Sequence, residues 1–196
     1  MAPNDSDSTS VTSRPRVGSF TTPGISAESG QEVARILQDR LNALNDLALT
    51  LKHVHWNVVG PHFIGVHEMI DPHVVQVRDM VDETAERIAT LGTAPLGTPG
   101  EIVENRTWQD YSLTRASTDG HLGALDLVYT GLLGDHRKAQ ETTADLDPVS
   151  EDMLIGQIKQ LELFHWFVRA HLENAGGGLS TESATSEKTA AEQANA

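Results

Sequence analysis

His55, His67, Asp71, Asp82 and Glu86 are the residues in this chain whose types and spacing could do chemistry. His55 is followed by His67 twelve residues on, and Asp71 stands four beyond that. Asp82 and Glu86 repeat the step of four. Imidazole nitrogen mixed with carboxylate oxygen is the donor set of iron, manganese or zinc; calcium and magnesium take oxygen alone. A step of four puts two side chains on one helical face, one turn apart. The pattern points to a metal enzyme or metal carrier built on helices. Taken singly, a carboxylate pair at that step is usually a solvated helix face, and one His among apolar residues is usually core. Two pairs in register, with His55 one loop away, are harder to explain that way.

The spacing also constrains how a metal could be held. If one helix carries both pairs, the eleven residues from Asp71 to Asp82 make close to three turns, so both pairs face the same way. They then stand roughly 16 Å apart along the axis, at about 1.5 Å per residue. Ligands must come within about 2 to 2.6 Å of a metal. The two pairs of one chain cannot share a metal on a continuous helix. A two-fold axis across that helix brings the His67–Asp71 end of one copy to the Asp82–Glu86 end of another, and makes the contact twice. Pro72 offers a different arrangement. Proline inside a helix removes a hydrogen bond, so Asp71 could be an N-cap with Pro72 at the first helical position.

The elements that would position these residues are helical throughout. A stripe of Val33, Ile36, Leu37, Leu41, Leu44, Leu47, Leu51 and Val54 keeps a 3.6 period. It predicts a first helix from about residue 26 to Asn57, stopped at Gly60–Pro61. Ser29 and Glu32 have capping-box spacing near its start. A second helix runs from about Gly65 to Leu91, with Gly92 as its stop. The connection that follows, TAPLGTPGEIVENRTWQDYS, is unusually long, and the part around Trp108 and Tyr111 is expected to pack as a short helix. A third helix spans about Leu113 to Gln140, with four glycines that close packing would justify. The fourth opens at Asp147–Pro148, an N-cap followed by proline at N1, and ends at Asn174. No segment reads as a strand. Two helix pairs joined by one long crossover make an all-α, ferritin-like four-helix bundle, with a short extra helix between helices two and three.

Bulk properties narrow the function classes. The 196 residues suffice for one domain. The chain has no cysteine, which excludes thiolate chemistry, iron–sulfur clusters and disulfides. No apolar run approaches the length of a membrane span, and the N-terminus lacks the apolar stretch of a secretory signal. The cytoplasm is the expected compartment. Residues 1–25 and 176–196 are expected to be flexible tails flanking the bundle over 26–175. The formal charge is −14. Asp5 and Asp7 balance Arg14 and Arg16 in the first tail, and Glu182, Glu187 and Glu192 outweigh Lys188 in the second. The acidity therefore sits mostly in the body, which attracts cations and repels phosphate backbones.

The stretch HVHWNVVGPHFIGVHEMID followed by DETAERIATLG resembles the signature of the Dps family, the mini-ferritins of starved bacteria, in its actinobacterial form. The resemblance covers about residues 26–175. It implies a hollow dodecameric shell with a dinuclear iron site at each two-fold contact. His55, His67 and Asp71 would come from one subunit, and Asp82 and Glu86 from its partner. It also favours a second helix that continues through Pro72. The implied activity is a ferroxidase that oxidises Fe(II), with hydrogen peroxide preferred over dioxygen, and stores Fe(III). Trp56 would lie against the iron and absorb stray oxidising equivalents; it also reads as an ordinary core or interface aromatic. The family further implies that the acidic corner between the third and fourth helices lines an entry pore, with Asp147 and Asp152 as the candidates.

Other signals compete with this reading. Glu162 and His165 have the Glu-x-x-His form of sites inside ferritin bundles, but no second such motif exists in the chain, and His165 lies on the apolar stripe of the fourth helix. It is read as structural. His53, His62, His73, His121, His136 and His171 have no partner at ligand spacing. A DNA-compacting role, possible at the nucleoid, needs basic tails, and the tails here are poor in charge. An adhesion or immune-type relative with little oxidase activity would not need all five ligands.

Overall fold

The computed structural model describes Gly18 and residues 20–196. The expected N-terminal tail falls largely outside these residues, Arg14 and Arg16 included. Helix α1 (Ala27–Asn57) starts where the Ser26 hydroxyl accepts the Ser29 N–H at 3.0 Å. The N-cap is thus Ser26, three residues before the Ser29 of the expected capping box. Every member of the predicted apolar stripe is buried. The helix ends where the backbone becomes extended at Val58. The short strand β1 (Val58–Val59) and Gly60, at φ 111°, turn the chain back.

Helix α2 (Phe63–Thr90) continues through Pro72. Asp71 is therefore inside the helix, and the N-cap alternative is excluded. The missing proline N–H would have served the carbonyl of Glu68 one turn back, a loss that α2 tolerates because Val66, Ile70, Val74 and Val77 hold that stretch in the core. The helix stops at Gly92, whose φ is 85° and where a Cβ would meet the Phe20 carbonyl oxygen at 2.0 Å. Only glycine fits.

The crossover corrects two expectations. Its short helix, α3 (Pro99–Asn105), has Pro99 at the first position and ends before Trp108 and Tyr111. Those two residues pack irregularly against the main core instead. The Trp108 indole N–H donates to Asp46 at 2.6 Å. Two-residue strands also exist: β2 (Ala116–Ser117) pairs in parallel with β1, Val58 opposite Ala116. They are too short to leave a periodic signal, and they tie the crossover to the α1–α2 turn.

Helix α4 (Thr118–Thr143) begins five residues later than expected, at a Ser117 N-cap. Helix α5 (Pro148–Leu172) begins at the predicted Asp147–Pro148. α1 packs along α2 and α4 along α5, which makes the expected four-helix bundle in two pairs. One apolar cluster fills the middle and a smaller one fills the end where α1 begins.

The largest correction concerns residues 176–196. In place of a flexible tail, the segment folds back, forms α6 (Glu187–Ala194) and lies on α4. Ala190 and Ala191 are buried. Gly123 is where the two backbones meet: a Cβ there would lie 2.6 Å from the Ala190 carbonyl oxygen. Thr181 donates to the buried Asp126 at 2.8 Å, and Glu187 accepts from the Ser112 N–H and hydroxyl. The composition concealed this because the contact is made by alanines and polar caps, with no apolar stripe to see.

Candidate metal centre

His55 stands in the last turn of α1, and His67 one turn into α2. The turn between them lays their rings face to face, 3.6 Å between centroids and 22° between planes. Each Nδ1 bonds the other residue's backbone: His55 Nδ1 to the His67 carbonyl and His67 Nδ1 to the His55 carbonyl, both at 2.9 Å. A carbonyl can only accept, so both Nδ1 atoms carry the proton. In the neutral ring each Nε2 is then the atom that holds the lone pair, the form that binds a metal. The backbone has set two ligand tautomers at once.

Asp71 is one turn beyond His67 on the exposed face of α2. Its Oδ1 accepts from the Lys52 ammonium at 2.9 Å and lies 3.3 Å from His55 Nδ1. The Lys52 ammonium beside it holds the Asp71 carboxyl below the usual carboxylate range, with the two imidazoles adding to the effect. The same ammonium sits 5.7 Å over the Trp56 ring. Lys52 is the residue that sequence reading passed over. It lies three before His55 and four before Trp56, hence on their helical face, and that spacing was the available signal.

Trp56 is 71% exposed, so within one chain it is not a core aromatic. Asp82 and Glu86 are exposed one turn apart, further along α2. Because α2 is unbroken, they are roughly 16 Å of helix from Asp71. Among the described residues, no three His, Asp or Glu side chains converge as one metal ion would require. One chain thus presents two separate donor groups: imidazoles with a carboxylate at one end, and two carboxylates at the other. Two lone-pair nitrogens and hard anionic oxygens fit ferrous iron.

The pore assignment of Asp147 does not stand. Its carboxylate is buried, accepts the Arg87 guanidinium at 2.5 Å, and caps α5 through the Val149 and Ser150 N–H groups. Desolvation opposes its charge, yet these donors hold the carboxyl below the usual range. It is fully occupied as a cap. Asp152, one turn on, is exposed.

The Glu162–His165 pair is committed elsewhere, in line with its structural reading. Glu162 pairs with Arg137. His165 Nε2 donates to the buried Asp126 at 2.7 Å, alongside Arg169 and Thr181. Of the remaining histidines, His53 bonds the Leu113 carbonyl, His121 bonds the Tyr111 hydroxyl, and His73 stacks on Phe164 at 3.9 Å.

The model of the ferritin-like domain family matches residues 34–176. A protein of Mycolicibacterium smegmatis called "DNA protection during starvation protein" is 60% identical over 176 residues, 90% of this chain and 96% of that one. The "fine tangled pili major subunit" of Haemophilus ducreyi is 51% identical over 159 residues, 81% of this chain and 84% of its own length. The solved structure of Mycobacterium smegmatis Dps in a tetragonal form superposes with a TM-score of 0.83 at 60% identity, covering 85% of this chain and all of that one.

Proposed function

The chain belongs to the Dps family of ferritin-like proteins, and from that premise we propose that it is a ferroxidase that stores iron in a hollow homo-oligomeric shell. The observation that carries the reading is the reciprocal lock of His55 and His67 through Nδ1, which leaves both Nε2 atoms to bind a metal, with Asp71 one turn beyond His67. In a two-fold dimer, Asp82 and Glu86 of a second copy complete the centre. His67, Asp71 and Glu86 bind one ferrous ion directly, with Glu86 able to bridge. His55 and Asp82 bind or orient a second, weaker one. Each hydrogen peroxide takes one electron from each of two ferrous ions, together with two protons, and leaves as two waters. No hydroxyl radical is released, and Fe(III) passes to the cavity. Trp56, exposed beside the centre, offers an electron to any oxidant that escapes. Asp152 is the remaining candidate for the entry path. The protein acts in the cytoplasm as a dodecamer, and it protects DNA by removing iron and peroxide. The DNA-compacting alternative has less support, because basic tails are lacking. The pili name of one relative offers a further reading, against which the preset histidine tautomers speak for metal chemistry.

Complementation tests the shared centre. His67→Ala/Asp71→Ala chains and Asp82→Ala/Glu86→Ala chains should each assemble and each lose rapid Fe(II) oxidation, by a factor on the order of a hundred as with lost ligand-supporting groups. Co-assembled, they regenerate one intact centre per mixed dimer. Stopped-flow absorbance of the ferric product should show partial recovery. Proven mixed dimers without recovery would overturn the shared centre, and wild-type rates in the Asp82/Glu86 variant would overturn the ligand assignment.

A further inference from the structure

A cavity of about 690 Å³ lies between α1, α4, the segment 107–112 and residues 185–188. Its size is that of a pocket for a small organic molecule. Leu47 and Leu132 face it from the two helices, and Trp108 and Tyr111 line it from the crossover. Arg40 borders it too, and Arg40 is only 8% exposed. Its Nη1 is buried with no hydrogen-bond partner among the described residues. Asp39 and Asp135 act on it through space only, and burial pulls the guanidinium below its ordinary value. The two carboxylates offset part of the cost of burying this cation, but Nη1 keeps an unmade hydrogen bond that an acceptor in the cavity would satisfy.

The acidic groups on the same walls are already engaged. Asp46 accepts from Trp108, Asp110 pairs with Arg106, Asp135 pairs with Lys138, and Glu187 accepts from Ser112. Lys188, the other cation at the cavity, is exposed and solvated. That leaves the Arg40 Nη1 as the buried cationic donor there with no hydrogen-bond partner among the described residues. The surrounding carboxylates would repel a dianion such as phosphate, whereas one carboxylate on an apolar body meets both Arg40 and the walls. Gly131 adds a second observation. It faces the cavity from the middle of α4, where glycine costs helix stability, and a Cβ there would find nothing within 4 Å. Gly131 is exposed at the edge of the cavity, so a large side chain placed there has room to extend across the opening.

We propose that this cavity binds a small monocarboxylate with an apolar body, its carboxylate on Arg40 and its chain along Leu47, Leu132 and Trp108. The site is separate from the metal centre and independent of iron oxidation.

Calorimetric titration of the assembled protein with decanoate tests the site. Saturable binding at one molecule per chain is expected, with 1-decanol bound at least about tenfold more weakly, the worth of one charged hydrogen bond. Inorganic phosphate should not compete. Arg40→Met keeps the stem, removes the charge, and should weaken decanoate binding about tenfold or more. Gly131→Phe should abolish binding by filling the space, with circular dichroism and particle size unchanged. Absence of saturable binding to the wild-type protein overturns the proposal. So does full decanoate affinity in Gly131→Phe, which also serves as the deciding variant should Arg40→Met fail to fold.

Discussion

At the scale of single residues, the proposed centre is held by side chains that already act on one another without a metal. The His55 and His67 rings are fixed by carbonyls, and Asp71 is fixed by Lys52. Lys52 therefore occupies, with its own positive charge, the neighbourhood that a metal ion would take. A unit charge and a divalent ion about 4 Å apart in water repel by about 2 kcal/mol. Lys52→Met frees the carboxylate and removes the repulsion. Zn(II), which binds such ligands without redox chemistry, should bind up to about thirtyfold more tightly in calorimetry on the assembled variant. Weaker Zn(II) binding would instead mean that the ammonium positions Asp71 for the metal.

At the scale of elements, the bundle hides ionisable rings that favour neutral pH. His73 of α2 is buried against Phe164 of α5, and His136 of α4 is buried beside Arg40 and Gln157. Burial pushes both imidazoles down to about 4, from 6.5 in the open chain. A base whose folded pKa is depressed stabilises the fold fully above its unfolded value. That contribution is lost as pH falls, because the unfolded chain takes up the proton first. The denaturation midpoint should drop steadily between about pH 6.5 and 4. His73→Phe, which keeps the stack, should flatten the slope. An unchanged slope in that variant would show that His73 contributes nothing to the pH dependence.

At the scale of the whole molecule, charge decides the partners. Duplex DNA is held mainly by lysine and arginine on phosphates. The C-terminal segment offers Lys188 against three glutamates, and it is folded onto α4 instead of reaching outward. In the proposed shell, Arg14 and Arg16 would be repeated and give some avidity at low salt. At about 0.15 M salt no gel retardation of DNA is expected. Tight retardation that disappears on deleting residues 1–25 would show that those two arginines suffice. No helix among the described residues is long and apolar enough to cross a membrane.

Much of this was legible in the sequence because it depends on periodicity. The apolar stripe of α1, the Asp147–Pro148 start of α5 and the placing of both candidate ligand pairs on one helix follow from residues a few positions apart. Their relative directions are set by the helix itself. What the tertiary structure decided depends on residues far apart. The cross-bonding of two histidine rings to each other's backbone needs the turn between α1 and α2. The burial of Asp147 needs Arg87, sixty residues away. The return of α6 onto Gly123 replaces an apolar stripe with a close fit of backbones. None of these leaves a periodic trace, since a contact between distant segments is specified by shape and hydrogen bonding and not by spacing.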